Sequence, residues 1–320
     1  MPLPVGYVIK MIANNDKKYG MPVPIPKKNI YKWAEGLGLP KGGNTVLLTG
    51  LLYQLTPYIN ASVKNLESME EGKYPSSISK LVLKRTGIVA AISKLVLRPP
   101  KEELEEQYEV LREIAMLLKK AGIQFGYLYE DDMYSGALLY DMGLDDDFKE
   151  HAAMVYNKLK SLGVKTLITI DPHTTYVMKE AYKEIIPAYD LVVKNYLEIL
   201  AESSINVIKI LKEDATLHDS CYYARYLNII DEPRKLLEKG GVNILEPERN
   251  KELTFCCGGP IESITPGLSK HIAQSRMNEL STANKNIILM CPLCYANLSR
   301  VKPNDATIKD ISRYLHMIYE

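Results

Sequence analysis

Short apolar runs alternate with longer amphipathic segments along most of this chain. The apolar runs predict buried strands at residues 44–50, 123–129, 164–170, 214–219, 242–246 and 285–290. The amphipathic segments predict helices at about 54–69, 101–120, 146–161, 174–185, 222–239, 265–281 and 292–300, with a helical connector at 189–203 and a last helix from about 307. Strands that alternate with helices are typical of parallel sheets, so the pattern predicts an α/β fold.

The pattern also contains a repeat. In the second half of the chain, CCGG precedes a helix, the strand IILM and the segment CPLCYANL; in the first half, MYSG precedes a helix, the strand LITI and the segment DPHTTYVM. Two copies of one plan predict two pseudo-symmetric parallel-sheet halves. We therefore divide the chain into an N-terminal arm at 1–40, a first α/β domain at 41–195 and a second at 196–320, with the joint near 186–212.

Two segments lie outside this plan. The proline-rich stretch PVPIPKKN, within residues 1–40, predicts an extended arm that either lies on a partner or is a plain surface tail. Residues 77–97 repeat ISKLVL and combine an apolar helical face with basic side chains. We expect an ordinary core-facing helix pair there, and contact with a membrane surface or a partner is the alternative.

Composition narrows the function classes. A chain of 320 residues with 46% apolar content is long enough for roughly two domains with ordinary cores. The net charge of +1 gives no reason to expect nucleic acid as a partner. The N-terminus lacks the pattern of a signal peptide, and no run of about 20 apolar residues predicts a membrane span. We therefore expect a cytoplasmic protein, with at most peripheral membrane contact through a complex.

The candidate chemistry is concentrated in the cysteines. All five lie in the last hundred residues, with the spacing C-x34-C-C-x33-C-P-L-C: Cys221, Cys256, Cys257, Cys291 and Cys294. Thiolates bind iron–sulfur clusters and zinc, and a C-x-x-C turn directs two sulfurs toward one centre. Five sulfurs exceed the four of a closed zinc site or an ordinary cubane, which favours a larger or irregular cluster.

The same cysteines have other interpretations. Four of the five could hold zinc in a scaffold without a redox role, and this is the strongest alternative. Disulfides rank well below, because an odd number of cysteines in a long chain without an export signal does not indicate a disulfide framework.

The segments HDSCYYARYLNIIDEPRKLL, FCCGGP and MCPLCYANL together resemble the cysteine-rich CCG domain. That domain occurs in the catalytic subunit of heterodisulfide reductase. It also occurs in iron–sulfur subunits of glycolate oxidase, lactate utilisation and anaerobic glycerol-3-phosphate dehydrogenase systems. In the heterodisulfide reductase member, five such cysteines hold a non-cubane [4Fe-4S] cluster. The resemblance implies the same cluster here, bound by the domain at 196–320.

The first domain resembles a degenerate copy of the CCG domain. Family members often read TGC-x-YQ where this chain reads TGLLYQ, so Leu51 replaces a cysteine. The repeat places Met133 and Tyr134 at the paired cysteines, and Asp171 and Thr174 at the C-x-x-C. None of these side chains can act as a thiolate, so we expect the first half to be free of metal and to serve for packing or docking.

The resemblance implies an iron–sulfur redox subunit of a heterodisulfide-reductase-like complex. Sulfur chemistry on a disulfide or thiol substrate at the cluster is a second enzymatic interpretation. The chain has no ferredoxin-type C-x2-C-x2-C run, so a ferredoxin-like iron–sulfur subunit or a flavoprotein would have to supply the relay. Around the cluster, His218, Asp219 and Arg225 are candidates to tune it through hydrogen bonds or charge. Asp219 could instead cap a helix or pair with Arg225, and His173 is expected to be a polar surface or interface residue.

Overall fold

The structure is a computed structural model that describes residues 5–70 and 99–320. Within these residues it contains eight strands: β1 Thr45–Leu48, β2 Gly126–Tyr127, β3 Thr166–Thr169, β4 Val192–Asn195, β5 Glu213–Leu217, β6 Val242–Ile244, β7 Asn286–Leu289 and β8 Thr307–Asp310. The α-helices cover Val5–Tyr19, Lys28–Tyr31, Leu52–Glu70, Lys101–Lys120, Ala137–Asp141, Asp145–Ser161, Pro172–Tyr176, Tyr182–Ile185, Tyr196–Glu202, Asp231–Lys239, Pro266–Ala283, Pro292–Ser299 and Ile311–Tyr319. Turns of π-helix occupy Val177–Ala181 and Tyr222–Leu227.

The strands form two four-stranded sheets with the same plan. One has the order β2-β1-β3-β4 and the other has the order β6-β5-β7-β8. Every pairing in both sheets is parallel. The expected α/β fold with two parallel-sheet halves is therefore confirmed, while the division of the chain at residues 40 and 195 stays a prediction.

The two halves share their hydrophobic cores. One core joins Leu48 and Leu51 of the first half to Met277 and Leu289 of the second. The other core joins side chains of helix Lys101–Lys120 to strands and helices of the second half, down to Tyr319. Since burial of apolar area is the main stabilising term in folding, neither half is expected to be stable without the other.

Two edge strands differ from the sequence prediction. β4 lies within the predicted helical connector at 189–203. β8 occupies Thr307–Asp310, where the last helix was expected to begin, and that helix begins at Ile311. Both are four residues long, sit at the edge of a sheet and carry an outward lysine, Lys194 or Lys309. Short polar edge strands that run directly into a helix lack the apolar run that identifies a buried strand.

The N-terminal segment combines a helix with the proline-rich stretch, and the arm at 1–40 stays a prediction. Residues Val5–Tyr19 form a helix with Val8 and Ile12 buried against the protein, and Asp16 lies 2.9 Å from the ring of His151. The prolines that follow, at 22–26, lack regular structure. Residues 77–97 lie outside the described residues. Among the helices in the described part of the chain, none is long and apolar enough to cross a membrane.

Candidate metal centre

The cysteines collect at the carboxyl ends of two neighbouring strands. Cys221 lies four residues after β5, and Cys291 lies two residues after β7. Cys291 then precedes helix Pro292–Ser299, which places Cys294 in its first turn. Because β5 and β7 are paired parallel neighbours, their carboxyl ends lie side by side, where open α/β sheets form their binding sites.

The five sulfur atoms form one continuous chain of contacts. The Sγ atoms of Cys257 and Cys294 are 3.1 Å apart. Further sulfur contacts join Cys221 to Cys256, Cys256 to Cys257, and Cys291 to Cys294. All five are free thiols. Three of the cysteines are buried: Cys257, Cys291 and Cys294. Cys221 and Cys256 are partly exposed, so the site has one open edge.

The environment favours thiolates at two of these positions. Hydrogen bonds from the thiols of Cys221 and Cys257 hold the pKa of Cys256 far below its usual range. Burial raises the pKa of Cys291, but interactions with Cys294 and His173 outweigh it and lower that pKa to about 5. The same sulfur contacts raise the pKa of Cys221. Because the thiolate is the form that binds metal, the site is electrostatically prepared for a cation.

The buried imidazole of His218 lies close to the sulfurs. Burial, together with the Arg276 guanidinium, lowers the pKa of His218 well below its ordinary value, so the ring is neutral. Nε of Arg276 donates to Nδ1 at 3.1 Å, which leaves the proton on Nε2. Nε2 is buried without a hydrogen-bond partner, and one ring nitrogen lies within 4.8 Å of the sulfurs of Cys257 and Cys294.

Asp219 and Arg225 stabilise the loop that carries the paired cysteines, but they do not pair with each other. Asp219 accepts two hydrogen bonds from Arg234, both of 2.9 Å, and one of 2.7 Å from the backbone N–H of Lys251. Arg225 donates to the carbonyls of Glu252, at 3.0 Å, and Thr254. The expected alternatives for Asp219, a helix cap or a pair with Arg225, are therefore wrong, because the Arg234 guanidinium occupies both carboxylate oxygens.

A glycine lets the paired cysteines turn into the site. Gly258 has a φ of 77°, in the left-handed region that favours glycine, and a Cβ there would lie 3.0 Å from the carbonyl of Ser269. Nδ2 of Asn297 donates to the carbonyl of Cys257 at 2.6 Å. The turn after the cysteines is thus held by two helices of the second half.

Three residues near the sulfurs were not among our predicted site residues. His173 belongs to the first half, yet it contacts Cys291, and its Nδ1 lies 3.0 Å from Oδ2 of Asp141. Tyr222 covers the His173 ring at a centroid distance of 4.4 Å and donates to Asp141. The one available signal was the repeat, because it aligns the DPHT loop of the first half with the CPLC loop of the second. Pseudo-symmetric halves bring such loops together.

The first half offers no comparable set of sulfur ligands. The register pairs Leu47 with Ile168 in one sheet and Leu217 with Ile288 in the other, and matching these two pairs makes Leu51 the counterpart of Cys221. The same comparison matches Asp171 with Cys291 and Thr174 with Cys294. Both replacements predicted from the repeat agree with the register.

The match to the paired cysteines shifts by one residue. Gly136, with φ of 83°, is the counterpart of Gly258, so Tyr134 and Ser135, rather than Met133 and Tyr134, correspond to the pair. The side-chain contacts agree: Oγ of Ser135 lies 3.0 Å from Oγ1 of Thr174, where the second half has its 3.1 Å sulfur contact. The structure thereby corrects our alignment, which counted from the wrong glycine.

A separate cavity lies beside two of these replaced positions. It measures about 420 Å³ and is lined by Leu51 and Tyr134 together with the segment from Tyr19 to Ile30. No cysteine lines it. It is therefore distinct from the five-sulfur site.

The five-sulfur site fits an iron–sulfur cluster. It offers soft ligands in excess of four, two positions with lowered thiol pKa values, and an unpartnered buried N–H on His218. Burial raises the pKa of two nearby carboxyl groups, that of Asp171 to about 7 and that of Glu262 to about 8. Below about pH 7 these two carboxyl groups therefore add little negative charge to that of the thiolates.

Comparison with known proteins agrees with this site. Residues 215–299 match the sequence model of the CCG family, described as a cysteine-rich domain. The fold and the site thus define a parallel α/β protein with a five-cysteine centre. The match of residues 215–299 to this family model confirms the resemblance drawn from the motifs.

Several curated relatives cover part of the chain. EtfAB:quinone oxidoreductase of Syntrophomonas wolfei is 30% identical over 205 residues, 59% of this chain and 28% of that protein. A Bacillus subtilis protein named "Probable iron-sulfur-binding oxidoreductase FadF" is 31% identical over 192 residues, 58% of this chain and 27% of that one. One component of the dihydromethanophenazine:CoB–CoM heterodisulfide reductase of Methanosarcina mazei is 28% identical over 196 residues, 58% of this chain and 48% of that component. Each match covers less than half of the relative's own length.

Proposed function

We propose that this chain is an iron–sulfur redox subunit of a heterodisulfide-reductase-like complex, and that it relays electrons through one [4Fe-4S] cluster. The observation that carries the proposal is the continuous chain of sulfur contacts at the carboxyl ends of β5 and β7. The ligands would be the thiolates of Cys221, Cys256, Cys257, Cys291 and Cys294. When bound, such a cluster supplies reversible one-electron transfer.

The protein's own residues would orient and screen this centre. The buried sulfurs exclude water, the neutral His218 ring offers an N–H to sulfur, and Arg234 holds the loop through Asp219. Electrons or substrate would approach the open edge at Cys221 and Cys256. Two exposed apolar side chains lie near these cysteines in the sequence, Tyr226 at 59% and Leu253 at 76% exposure, and they offer contact area to a partner.

The number of thiolates supports a non-cubane cluster. A cubane uses four cysteines, so one of five could be replaced by serine without loss of iron. We expect instead that each of the five Cys→Ser variants, purified without oxygen, contains less iron and sulfide than the wild type. Ser135→Ala, at the equivalent position of the first half, serves as the matched control and should retain about four irons per chain. Full iron content in any Cys→Ser variant would contradict the five-ligand arrangement.

Zinc is the second candidate because of one specific observation. His218, Cys257 and Cys294 bring ligand atoms within 4.8 Å of one another, which offers three of the four ligands that a tetrahedral zinc site needs. The hydrogen bond from Arg276 to Nδ1 leaves only Nε2 for a metal, and that nitrogen would have to lose its proton. Stoichiometric zinc without iron or visible absorbance, after anaerobic reconstitution, would establish the scaffold function instead.

The proposed partners are other redox subunits, either ferredoxin-like iron–sulfur proteins or flavoproteins. The five cysteines leave no others in this sequence for a second cluster, so a relay needs a neighbouring subunit. A disulfide or thiol substrate at the open edge is the alternative use of the same centre. Anaerobic assays separate the two: reduction of a disulfide by the isolated chain with a dye donor supports substrate chemistry, while dye oxidation that requires a co-purified subunit supports a relay.

We propose a cytoplasmic location, with membrane contact only at the periphery of a complex.

A further inference from the structure

A buried histidine of the cysteine-free half faces the five-sulfur site. His173 follows β3, is 2% exposed and contacts Cys291 across the boundary between the halves. Its Nδ1 lies 3.0 Å from Oδ2 of Asp141, which is also buried. Nδ1 and Oδ2 are close enough for an ion pair but do not have the geometry of a hydrogen bond, and the second ring nitrogen is available to the sulfur.

Asp141 holds this histidine together with a neighbour of the site. Its Oδ1 accepts a hydrogen bond from the hydroxyl of Tyr222, the residue that directly follows Cys221. The Tyr222 ring in turn packs on the His173 ring at 4.4 Å between centroids. One carboxylate therefore lies against both the imidazole and the side chain that covers it. A histidine held by a carboxylate in this way is typical of the supporting residues around metal centres.

We propose that His173 donates a hydrogen bond to the sulfur of Cys291, that Asp141 orients it, and that this pair of positioning residues raises the reduction potential of the cluster. The proposal rests on the proposed function, since it assumes a cluster on the five cysteines. Reduction adds negative charge to the cluster and its thiolates, so a donor to a ligand sulfur stabilises the reduced state more than the oxidised state. The cysteine-free half then sets the potential of a centre that it does not bind.

The test is a redox titration of the anaerobically purified full chain, followed by electron paramagnetic resonance. His173→Leu removes the donor, and we expect the ratio of reduced to oxidised cluster at a fixed potential to fall about tenfold, which corresponds to about 59 mV for one electron. His173→Gln keeps an N–H donor and should recover part of the shift. Asp141→Asn leaves the histidine in place without its anionic partner and should give an intermediate value.

The chain supplies a matched control in His151. This histidine is also buried in the first half and also lies against an aspartate, 2.9 Å from Asp16, but its other nitrogen meets the carbonyl of Tyr134. His151→Leu should lower the melting temperature and leave the potential unchanged. Thermal unfolding of every variant separates a general loss of stability from an effect on the cluster.

Iron and sulfide are measured before each titration, so the two proposals fail differently. A wild-type protein without iron would overturn the proposed function. Wild type, His173→Leu and Asp141→Asn that carry equal iron at equal potential would overturn the inference alone. Loss of about one iron per chain from both His173 variants would make His173 a ligand and would also overturn the donor role.

Discussion

Tyr53 of the first half donates a hydrogen bond of 2.9 Å to Oδ2 of Asp310 in the second half. The reverse contact also exists: Nδ2 of Asn195, in the first half, donates to the hydroxyl of Tyr223 at 2.8 Å. Tyr53 follows Leu51 by two residues, as Tyr223 follows Cys221. Their partners also correspond, because Asp310 is the last residue of β8 and Asn195 is the last residue of β4. The halves are thus joined by a reciprocal pair of buried contacts.

The two contacts should differ in energy. Tyr53→Phe leaves a buried carboxylate oxygen without its donor, and hydrogen bonds to charged groups contribute about 1.5–3 kcal/mol. In Tyr223→Phe, Asn195 keeps its bond of 2.9 Å to Thr175, so we expect a loss of only about 1 kcal/mol. Urea unfolding of the metal-free protein measures both losses in the free energy of unfolding. Equal losses would contradict the assigned role of the Asp310 carboxylate.

Local patterns predicted the regular elements well because their residues carry the signal themselves. The helix at Lys101–Lys120 was predicted with its observed bounds, since one apolar stripe runs along its whole length. Likewise, the sulfur spacing pointed to a single site before any fold was known. β4 and β8 were missed because an edge strand needs no continuous apolar run.

Contacts between distant segments could not be predicted in the same way. Asp219 has arginines six and fifteen residues later, Arg225 and Arg234, and nothing local decides between them. The turn of π-helix at Tyr222–Leu227 directs Arg225 to the carbonyls before the paired cysteines and leaves Asp219 to Arg234. Likewise, the place of His173 depends on how two halves meet, which no single segment encodes.

The Asp219–Arg234 ion pair should be important for stability. Its side chains are 1% and 8% exposed, and removing one partner of a buried pair costs about 3–5 kcal/mol because the remaining charge stays buried. Arg234→Met should therefore lower the free energy of unfolding by about that amount. Lys160→Met breaks an exposed pair with Asp190 and should cost less than about 1 kcal/mol. Similar losses in both variants, measured by urea unfolding, would refute the distinction.

The glycine after the paired cysteines offers a test of the turn. Gly258→Ala places a Cβ 3.0 Å from the carbonyl of Ser269 and also carries the cost of a left-handed φ. Gly122 is a matched control because its φ is 76° and a Cβ there meets nothing within 4 Å. Gly122→Ala should cost about 1–2 kcal/mol and leave the iron content unchanged. Gly258→Ala should cost more and reduce the iron bound after reconstitution; iron content equal to that of Gly122→Ala would argue against the role of this turn.

The helices Lys101–Lys120 and Ile311–Tyr319 are joined by a buried carboxylate that makes stability depend on pH. Burial raises the pKa of Glu113 from 4.5 to about 7, although Nη1 of Arg313 donates to it at 2.7 Å and the hydroxyl of Ser312 donates at 3.1 Å. Because the pKa is higher in the folded state, the folded state holds the proton more tightly. The stabilisation of the folded state by this proton is complete below about pH 4.5 and is lost as the pH rises through about 7.

Glu113→Gln removes this titration and should flatten the decline. Between pH 5 and 8, the free energy of unfolding of the wild type should fall relative to that of the variant by up to about 3 kcal/mol, which is the shift of the pKa converted to energy. Glu109→Gln is the control, since Glu109 lies 2.8 Å from the same Arg313 but is 45% exposed, and its profile should follow that of the wild type. Urea unfolding of the metal-free chains across this pH range gives all three slopes. A Glu113→Gln slope equal to that of the wild type would show that the carboxyl titrates alike in the folded and unfolded chain, and would remove burial as the origin of the pH dependence.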